Sequence, residues 1–155
     1  MNHLWIKPLL AIVATGSIAT ACAAETYNDW ATSFKCGGQS VTLISKCRTA
    51  KEADELNKCQ PNQRLAIGSS TINLPANSRP KSKPALFAIH WHCIDTTSGP
   101  VLHLNYFSGQ SQGPDDELNE FLDLKLRPIT APSEIRELFQ KIERSPGGYV
   151  RSIMP

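Results

Sequence analysis

Apolar and polar residues alternate along much of the chain in short runs that glycine and proline separate. The run SFKCGGQSVTLISKC (33–47) places a Gly-Gly pair between two alternating segments, which predicts two short strands around a tight turn. RLAIGSSTINLP (64–75) alternates again on both sides of a bend or bulge at Gly68. Because a period of two residues is typical of a strand with one buried face, both runs predict β-structure.

A third region predicts a β-hairpin. The segments Leu86 to Asp95 and Val101 to Ser108 are strand-like and flank TTSGP, which supplies turn residues. On the first of these strands one face carries four apolar side chains: Phe87, Ile89, Trp91 and Cys93.

The turn of this hairpin determines which residues face each other. Ser98-Gly99 is preferred as the tip of the turn, and this choice places Trp91 opposite Tyr106. In that register the apolar faces of the two strands coincide, as a strand pair with one buried face requires.

The C-terminal third predicts one more strand and a helix. ELNEFLDLKLRPI (117–129) fits both a helical and an alternating pattern, and a strand over its second half is favoured. Four apolar side chains then recur at helical spacing and predict a C-terminal amphipathic helix that ends before Pro146: Ile135, Leu138, Phe139 and Ile142. A short helix is also expected near residue 53. The predicted fold class is α+β or mostly β, a small antiparallel sheet or sandwich with this helix.

The N-terminal residues have the layout of an export signal. One basic side chain (Lys7), an apolar run too short to span a bilayer and a small-residue A-x-A site predict a secretory signal peptide over residues 1–23. The alternative is a lipoprotein signal that ends before Cys22, in which case lipidation of Cys22 would attach the protein to a membrane. Residues 24–155 then form a single small disulfide-containing domain, in the periplasm or secreted.

Four cysteines remain in the predicted mature chain: Cys36, Cys47, Cys59 and Cys93. Four cysteines in an exported chain indicate two disulfides, although spacing alone leaves their connectivity open. We favour Cys47 with Cys59, which closes the charged segment RTAKEADELNK, and Cys36 with Cys93, which ties the first strand to the central hairpin. A zinc site on these cysteines is disfavoured, because none of the spacings is of the C-x2-C type.

Charge and motifs narrow the class of function. The chain carries 16 basic and 14 acidic side chains, and the leader contains only one of them, Lys7. Such a balance argues against nucleic acid as a partner, since binding to nucleic acid needs a concentrated basic surface. The sequence contains no nucleophile elbow, phosphate-binding loop, zinc-protease or dinucleotide motif. We therefore predict a protein without enzymatic activity, and we assign no catalytic residue, cofactor or metal ligand.

Three histidines cluster on the predicted hairpin: His90, His92 and His103. Alternation places all three on the face opposite the apolar one. A turn one step earlier, at Thr97-Ser98, would bring His103 directly opposite His92. This constellation suits zinc or copper, but polar residues are also normal on the solvated face of an antiparallel sheet. The second interpretation is preferred.

Three functional hypotheses follow. The first is an exported, non-enzymatic binding protein that occludes another protein, either an inhibitor of a cell-wall-directed enzyme or an immunity protein, with YFSGQSQGPDD (106–116) as the candidate contact loop. The second is a periplasmic metal-binding protein that uses the three histidines. The third is a small hydrolase whose site the sequence does not reveal.

Overall fold

The computed structural model describes residues 26–49, 59–60, 63–76, 86–107 and 117–150. In these ranges the chain forms eight strands and one helix. Their bounds are β1 (Asn28–Cys36), β2 (Gln39–Cys47), β3 (Arg64–Ile67), β4 (Ser70–Asn73), β5 (Phe87–Ile94), β6 (Val101–Phe107), β7 (Glu117–Asp123), α1 (Pro132–Ile142) and β8 (Gly147–Tyr149).

The strands form two antiparallel sheets of four strands each. Sheet 1 has the order β1-β2-β3-β4, in which each strand pairs with its neighbour in the chain. Sheet 2 has the order β7-β6-β5-β8, because β8 returns after the helix to pair with β5. Side chains of both sheets share one main core cluster. The predicted fold class, with its antiparallel sheets, two disulfides and C-terminal helix, is confirmed.

Both predicted disulfides are formed, and the predicted connectivity is confirmed. Cys36–Cys93 joins the end of β1 to β5 and therefore links the two sheets across a sequence separation of 57 residues. Cys47–Cys59 joins the end of β2 to a cysteine only 12 positions further along the chain. The first bridge is a long-range tie between the sheets, whereas the second closes a local loop.

Two further contacts join the sheets. Phe34 of β1 stacks on Trp91 of β5 with 3.9 Å between the ring centroids. The Tyr106 hydroxyl donates to Oε2 of the buried Glu120 at 2.7 Å, and the N–H of Ala76, just after β4, donates to the same oxygen at 3.0 Å. Burial, reinforced by Glu120, raises the pKa of Tyr106 well above its ordinary value, so the hydroxyl keeps the proton that it donates.

The register of the central hairpin differs from the predicted register. The predicted pairing of Trp91 with Tyr106 is wrong, because Trp91 lies opposite Leu104. The cause is the turn, in which the N–H of Gly99 donates to the carbonyl of Thr96 at 3.1 Å and centres the turn on the two residues between them. Gly99 has a φ of 119°, which favours glycine. The turn therefore lies one step earlier than preferred, and the histidines of the two strands face each other.

A β-bulge interrupts the alternation of β5. Ile89 is an extra residue between two segments of regular pairing with β6. The bulge places Ala88 in the main core, while Phe87 packs in a second cluster around the Cys47–Cys59 bridge. The predicted common apolar face of β5 is therefore correct only from Trp91 onward.

The buried side chain of Gln63 satisfies the backbone beside this bulge. The N–H of Ala88 donates to Oε1 of Gln63 at 2.6 Å, and Nε2 of Gln63 donates back to the carbonyl of Ala88 at 3.3 Å. The same Nε2 donates to the hydroxyl of Ser45 at 3.0 Å. Gln63, which precedes β3 of sheet 1, therefore gives the backbone of Ala88 in sheet 2 the two hydrogen bonds that a neighbouring strand would otherwise supply.

We expect Gln63→Leu to lower the free energy of unfolding by about 2 kcal/mol, because it leaves the N–H and C=O of Ala88 unpaired in the core. Urea unfolding of the two proteins measures the difference. Gln140→Leu, at an exposed position of α1, is the matched control and should change stability little. Equal effects of the two substitutions would contradict the role given to Gln63.

The predicted strand over the second half of 117–129 is wrong, since β7 occupies the first half. Asp123 ends the strand. Its Oδ1 accepts the N–H groups of Lys125 and Arg127 at 2.9 Å each, and its Oδ2 accepts the guanidinium of Arg127 at 2.7 Å. Leu126, within this turn, has a φ of 64°. These local bonds outweigh the alternating leucines that favoured a strand.

The helix forms where predicted and ends before Pro146. Pro132 lies in its first turn, where a missing N–H leaves no hydrogen bond unmade. Leu138 is buried against sheet 2, whereas Phe139 is 45% exposed. The two glycines that follow Pro146 belong to β8 (Gly147–Tyr149), the edge strand of sheet 2, which the sequence did not predict.

The predicted signal peptide (1–23), the short helix near residue 53 and most of the candidate contact loop (108–116) lie outside the described residues. Within the part of the chain that the structure describes, no helix has the length and apolar character needed to cross a membrane.

Candidate functional site

The three histidines share the face of sheet 2 that points away from sheet 1. His90 and His92 alternate along β5 with the core residue Trp91, and His103 lies directly opposite His92 on β6. Since alternate side chains of a strand point to opposite faces, all three imidazoles reach the same outer face.

The helix covers one end of this face and leaves the other end open. Leu138 of α1 is buried with Ile94, Val101 and Phe121 of the sheet. Beyond this cluster lies an open groove of about 610 Å³, here called the histidine groove. Nine residues line it: Ile89, His90, His92, His103, Asn105, Phe107, Asn119, Phe139 and Ile142.

Four polar side chains of the groove form one hydrogen-bonded chain. Nδ1 of His92 lies 3.2 Å from Nδ1 of His103, and Nε2 of His103 lies 2.8 Å from Oδ1 of Asn119. The same Oδ1 accepts Nδ2 of Asn105 at 3.1 Å. His103 is only 3% exposed and also stacks on Phe121, with 4.8 Å between the ring centroids. The chain of bonds therefore fixes both imidazole rings.

The hydrogen-bond partners assign the tautomers of the pair. An amide oxygen can only accept, so Nε2 of His103 carries a hydrogen and donates to Asn119. Nδ1 of neutral His103 is then the acceptor, and His92 donates its Nδ1–H to it. This leaves a lone pair on Nε2 of His92, to which no described residue donates a hydrogen bond.

Both imidazoles of the pair resist protonation. Burial is the main cause that lowers the pKa of His103 to about 4. The hydrogen bond to Asn119 opposes this shift, and the charges that His92 and His90 can carry add to it. Burial, followed by the nearby His90, also lowers the pKa of His92. The pair is therefore neutral at pH 7.

Gly147 of β8 lies against the ring of His92. A Cβ atom at this position would lie 2.3 Å from Cδ2 and 2.8 Å from Nε2 of His92, and 2.7 Å from the carbonyl oxygen of Trp91. Such distances are far below van der Waals contact, so the glycine is needed for space. Tyr149 of the same strand contacts the His90 ring edge-on, at 4.4 Å between centroids.

We expect Gly147→Ala to push the His92 ring out of its place, because the carbonyl on the other side of the new methyl group cannot move away. NMR of the imidazole nitrogens should show loss of the bond between His92 and His103. Overpacking of this kind costs about 1–3 kcal/mol of stability. Gly148→Ala is the control, since its Cβ would meet the Trp91 indole at 3.3 Å or more and leave His92 untouched. An unchanged His92 signal in the first variant would contradict the packing argument.

The structure brings together His90, His92 and His103, which the sequence singled out. It adds Asn119, which the sequence analysis did not assign to a site. The signal was present in ELNEF. If the strand is read from Glu117, alternation places Asn119 on the same face as His103.

Two aromatic residues at the groove were also missed. Phe139 belongs to the apolar stripe that predicted the helix, and Tyr149 was assigned to no element. Neither has a sequence signal of its own, because their exposure depends on how far α1 covers sheet 2.

Comparisons of the chain with protein-family models, with curated proteins and with solved structures found no match in any of the three.

Proposed function

We propose that this protein is an exported, non-enzymatic binding protein of the inhibitor or immunity type, which receives part of another protein in the histidine groove. One observation carries the proposal. The two exposed large hydrophobic side chains of the described residues are Phe139, which lines this groove, and Tyr149, which packs edge-on against the groove residue His90; they are 45% and 67% exposed. Exposed aromatic residues beside a concave surface are the usual anchors of protein interfaces.

The form of the groove supports a binding role. Its volume of about 610 Å³ falls within the range of ligand sites, roughly 300–1,000 Å³. Its walls combine apolar rings with amide and imidazole groups that can fix the orientation of a bound segment. The described part of the chain supplies a frame for the groove, since two sheets, two disulfides and a buried polar network hold β5 in place.

The disulfides support the proposed location. Cys36–Cys93 and Cys47–Cys59 are buried, which suits a protein that folds and works in an oxidising compartment such as the periplasm or the extracellular space. Inhibitors of cell-wall-directed enzymes and immunity proteins against periplasmic toxins act in such compartments, and their function requires a stable scaffold and one complementary surface rather than a catalytic site.

The test is capture of a partner by chemical crosslinking in periplasmic extract, with the tagged mature chain as bait. Phe139→Ser/Tyr149→Ser should abolish the crosslinked complex, since the anchors are lost and both positions are exposed. Lys35→Ser/Lys46→Ser, at exposed positions on sheet 1, is the matched control and should retain it. A complex that survives loss of both aromatic residues would place the interface elsewhere.

A metal-binding role is the alternative, and one distance favours it. The Nδ1 atoms of His92 and His103 lie 3.2 Å apart, close to the separation of about 3.3 Å between two nitrogen ligands of a tetrahedral zinc ion. Against it, the described residues contain no group of three histidine, cysteine or acidic side chains arranged to hold one ion.

We therefore expect isothermal calorimetry of the mature protein to show no sub-micromolar binding of zinc or copper(II). Any weaker metal binding should be the same in the wild type and in His90→Ala/His92→Ala. The Nδ1 atoms of His92 and His103 are hydrogen-bonded to each other and are therefore poor ligands for a shared metal ion. Tight binding that the double variant loses would replace the proposal with a metal site on the outer face of the hairpin.

The hydrolase hypothesis stays a prediction. The lining of the groove in the described part of the chain includes no serine, threonine, cysteine or carboxylate that could act as a nucleophile.

A further inference from the structure

Building on the proposed function, we propose that the group seated in the histidine groove is the C-terminal carboxylate of a partner chain that ends in an apolar residue, and that the His92–His103 pair takes up one proton as it binds. The argument uses the charges that the groove can carry, the bonds within the pair and the position of the apolar walls.

The groove can become positive but not negative. Its titratable residues in the described part of the chain are three imidazoles, from β5 and β6, and each is either neutral or cationic. The side chains that face them from β7 and α1 are uncharged: Asn119, Phe139 and Ile142. From β8 the ring of Tyr149 lies against His90. An anionic group is therefore the charged ligand that this surface can accept.

The pair has room for one additional proton. A proton on Nε2 of His92 leaves the bond from His92 Nδ1 to His103 Nδ1 intact. A second proton, on Nδ1 of His103, would set two N–H groups against each other across 3.2 Å and break the bond between His92 and His103. A carboxylate beside Nε2 would hold the first proton in a charge-assisted hydrogen bond. Binding and uptake of one proton are thus coupled.

A second donor is available in the same groove. Oδ1 of Asn119 accepts bonds from His103 and Asn105, which turns its Nδ2 amide group to the other side. This amide group donates to no described residue. It is therefore a second hydrogen-bond donor of the groove, available to an oxygen of the bound chain.

The apolar walls decide in favour of a chain terminus over an acidic side chain. Phe107, Phe139 and Ile142 line the groove that holds the imidazoles. A C-terminal apolar residue carries its carboxylate and its apolar side chain on one Cα, so it fills both parts of the groove at once. An aspartate or glutamate side chain brings the charge without the apolar group.

The experiment is a titration of the isotope-labelled mature chain with three probes. N-acetylphenylalanine represents the chain terminus, N-acetylphenylalaninamide has the same shape without the charge, and N-acetylaspartic acid α-amide represents an acidic side chain. NMR follows the imidazole signals of His92 and His103, and calorimetry in buffers of different ionisation enthalpy counts the protons taken up.

We expect N-acetylphenylalanine to bind at least tenfold more tightly than either other probe, with uptake of one proton. Its affinity should fall by up to tenfold for each pH unit as the pH rises above 7, because the bound proton must be supplied from solution. His92→Gln, at a half-exposed position that tolerates an amide, should remove the proton uptake and the pH dependence.

Equal binding of the acid and its amide without proton uptake would overturn this inference while leaving the groove as a binding site. The same holds if the aspartic probe binds best. Failure of all three probes to shift the imidazole signals would also overturn it. The proposed function fails on a different result, namely a partner complex that survives Phe139→Ser/Tyr149→Ser.

Discussion

Replacing Cys36 and Cys93 together by alanine is expected to lower the free energy of unfolding by about 4 kcal/mol. The bridge spans 57 positions of sequence, and in the chain-entropy model the stabilisation grows with the length of the loop that is closed. Domains of this size are stable by about 5–15 kcal/mol in total. The loss would therefore remove between roughly a quarter and four fifths of the total stability.

Urea unfolding of the oxidised wild type and of Cys36→Ala/Cys93→Ala measures this loss. Cys47→Ala/Cys59→Ala is the matched control, because it removes a buried bridge that spans only 12 positions and should cost about 3 kcal/mol. A smaller loss for the long-range bridge than for the short one would mean that packing around each cysteine, and not the chain entropy of the unfolded state, determines the stabilisation.

The second large effect is a loss of stability in mild acid that His103 causes. Burial lowers its pKa to about 4 in the folded protein, whereas an exposed histidine in the unfolded chain has a pKa near 6.5. Between these values the unfolded state binds the proton and the folded state does not, so stability falls as the pH is lowered. Over the whole window the effect is about 3 kcal/mol, and above pH 6.5 it vanishes because both states are neutral.

Comparison with His103→Gln isolates this contribution. Glutamine does not titrate, and its amide can still donate to Asn119. Carboxyl groups that titrate below pH 5 affect both proteins alike and cancel in the difference. We expect the stability advantage of the wild type over the variant to shrink by about 3 kcal/mol between pH 6.5 and pH 4, measured by urea unfolding at fixed ionic strength. A difference that is constant across the window would contradict a buried, neutral His103.

Much of the fold could be predicted because it depends on local patterns. Alternation identified β1, β2 and the two strands of the hairpin, and helical spacing identified α1. Cysteine pairing followed from the compartment and from the order of these strands. The predictions that were wrong concern the hairpin register, the bulge in β5 and the position of β7. These features depend on hydrogen bonds, which a pattern of apolar residues does not encode.

The hairpin register is an example, because TTSGP permits two turns that differ by one residue, and the bonds of Thr96 and Gly99 decide between them. The bulge at Ile89 is equally hidden, since Phe87, Ile89 and Trp91 fit an uninterrupted alternation. In 117–129 the alternating leucines continue past the end of the strand, and only the bonds to Asp123 stop it.

Only part of the candidate site could be predicted from the sequence. Alternation was enough to place His90, His92 and His103 on one face. That His92 bonds His103, and that His103 is buried rather than exposed to solvent, depends on the corrected register and on Phe139 of α1, which contacts the His103 ring from above the sheet. Asn119 follows the alternation of ELNEF, but a single amide there has the pattern of an ordinary polar residue, and Gln63, which precedes β3, carries no periodic signal.

The two sheets come from separate halves of the chain, residues 28–73 and 87–149, so that nearly all strand pairing is settled within each half. Without the contacts that cross between the halves, what remains is a four-stranded meander (β1 to β4) and a sheet in which β8 returns to β5, joined by one peptide segment and one sulfur–sulfur bond. That covalent link keeps each sheet at a high effective concentration relative to the other, which makes their association an intramolecular step. An opening of the interface can then reverse before either half meets another chain, which protects the protein against aggregation.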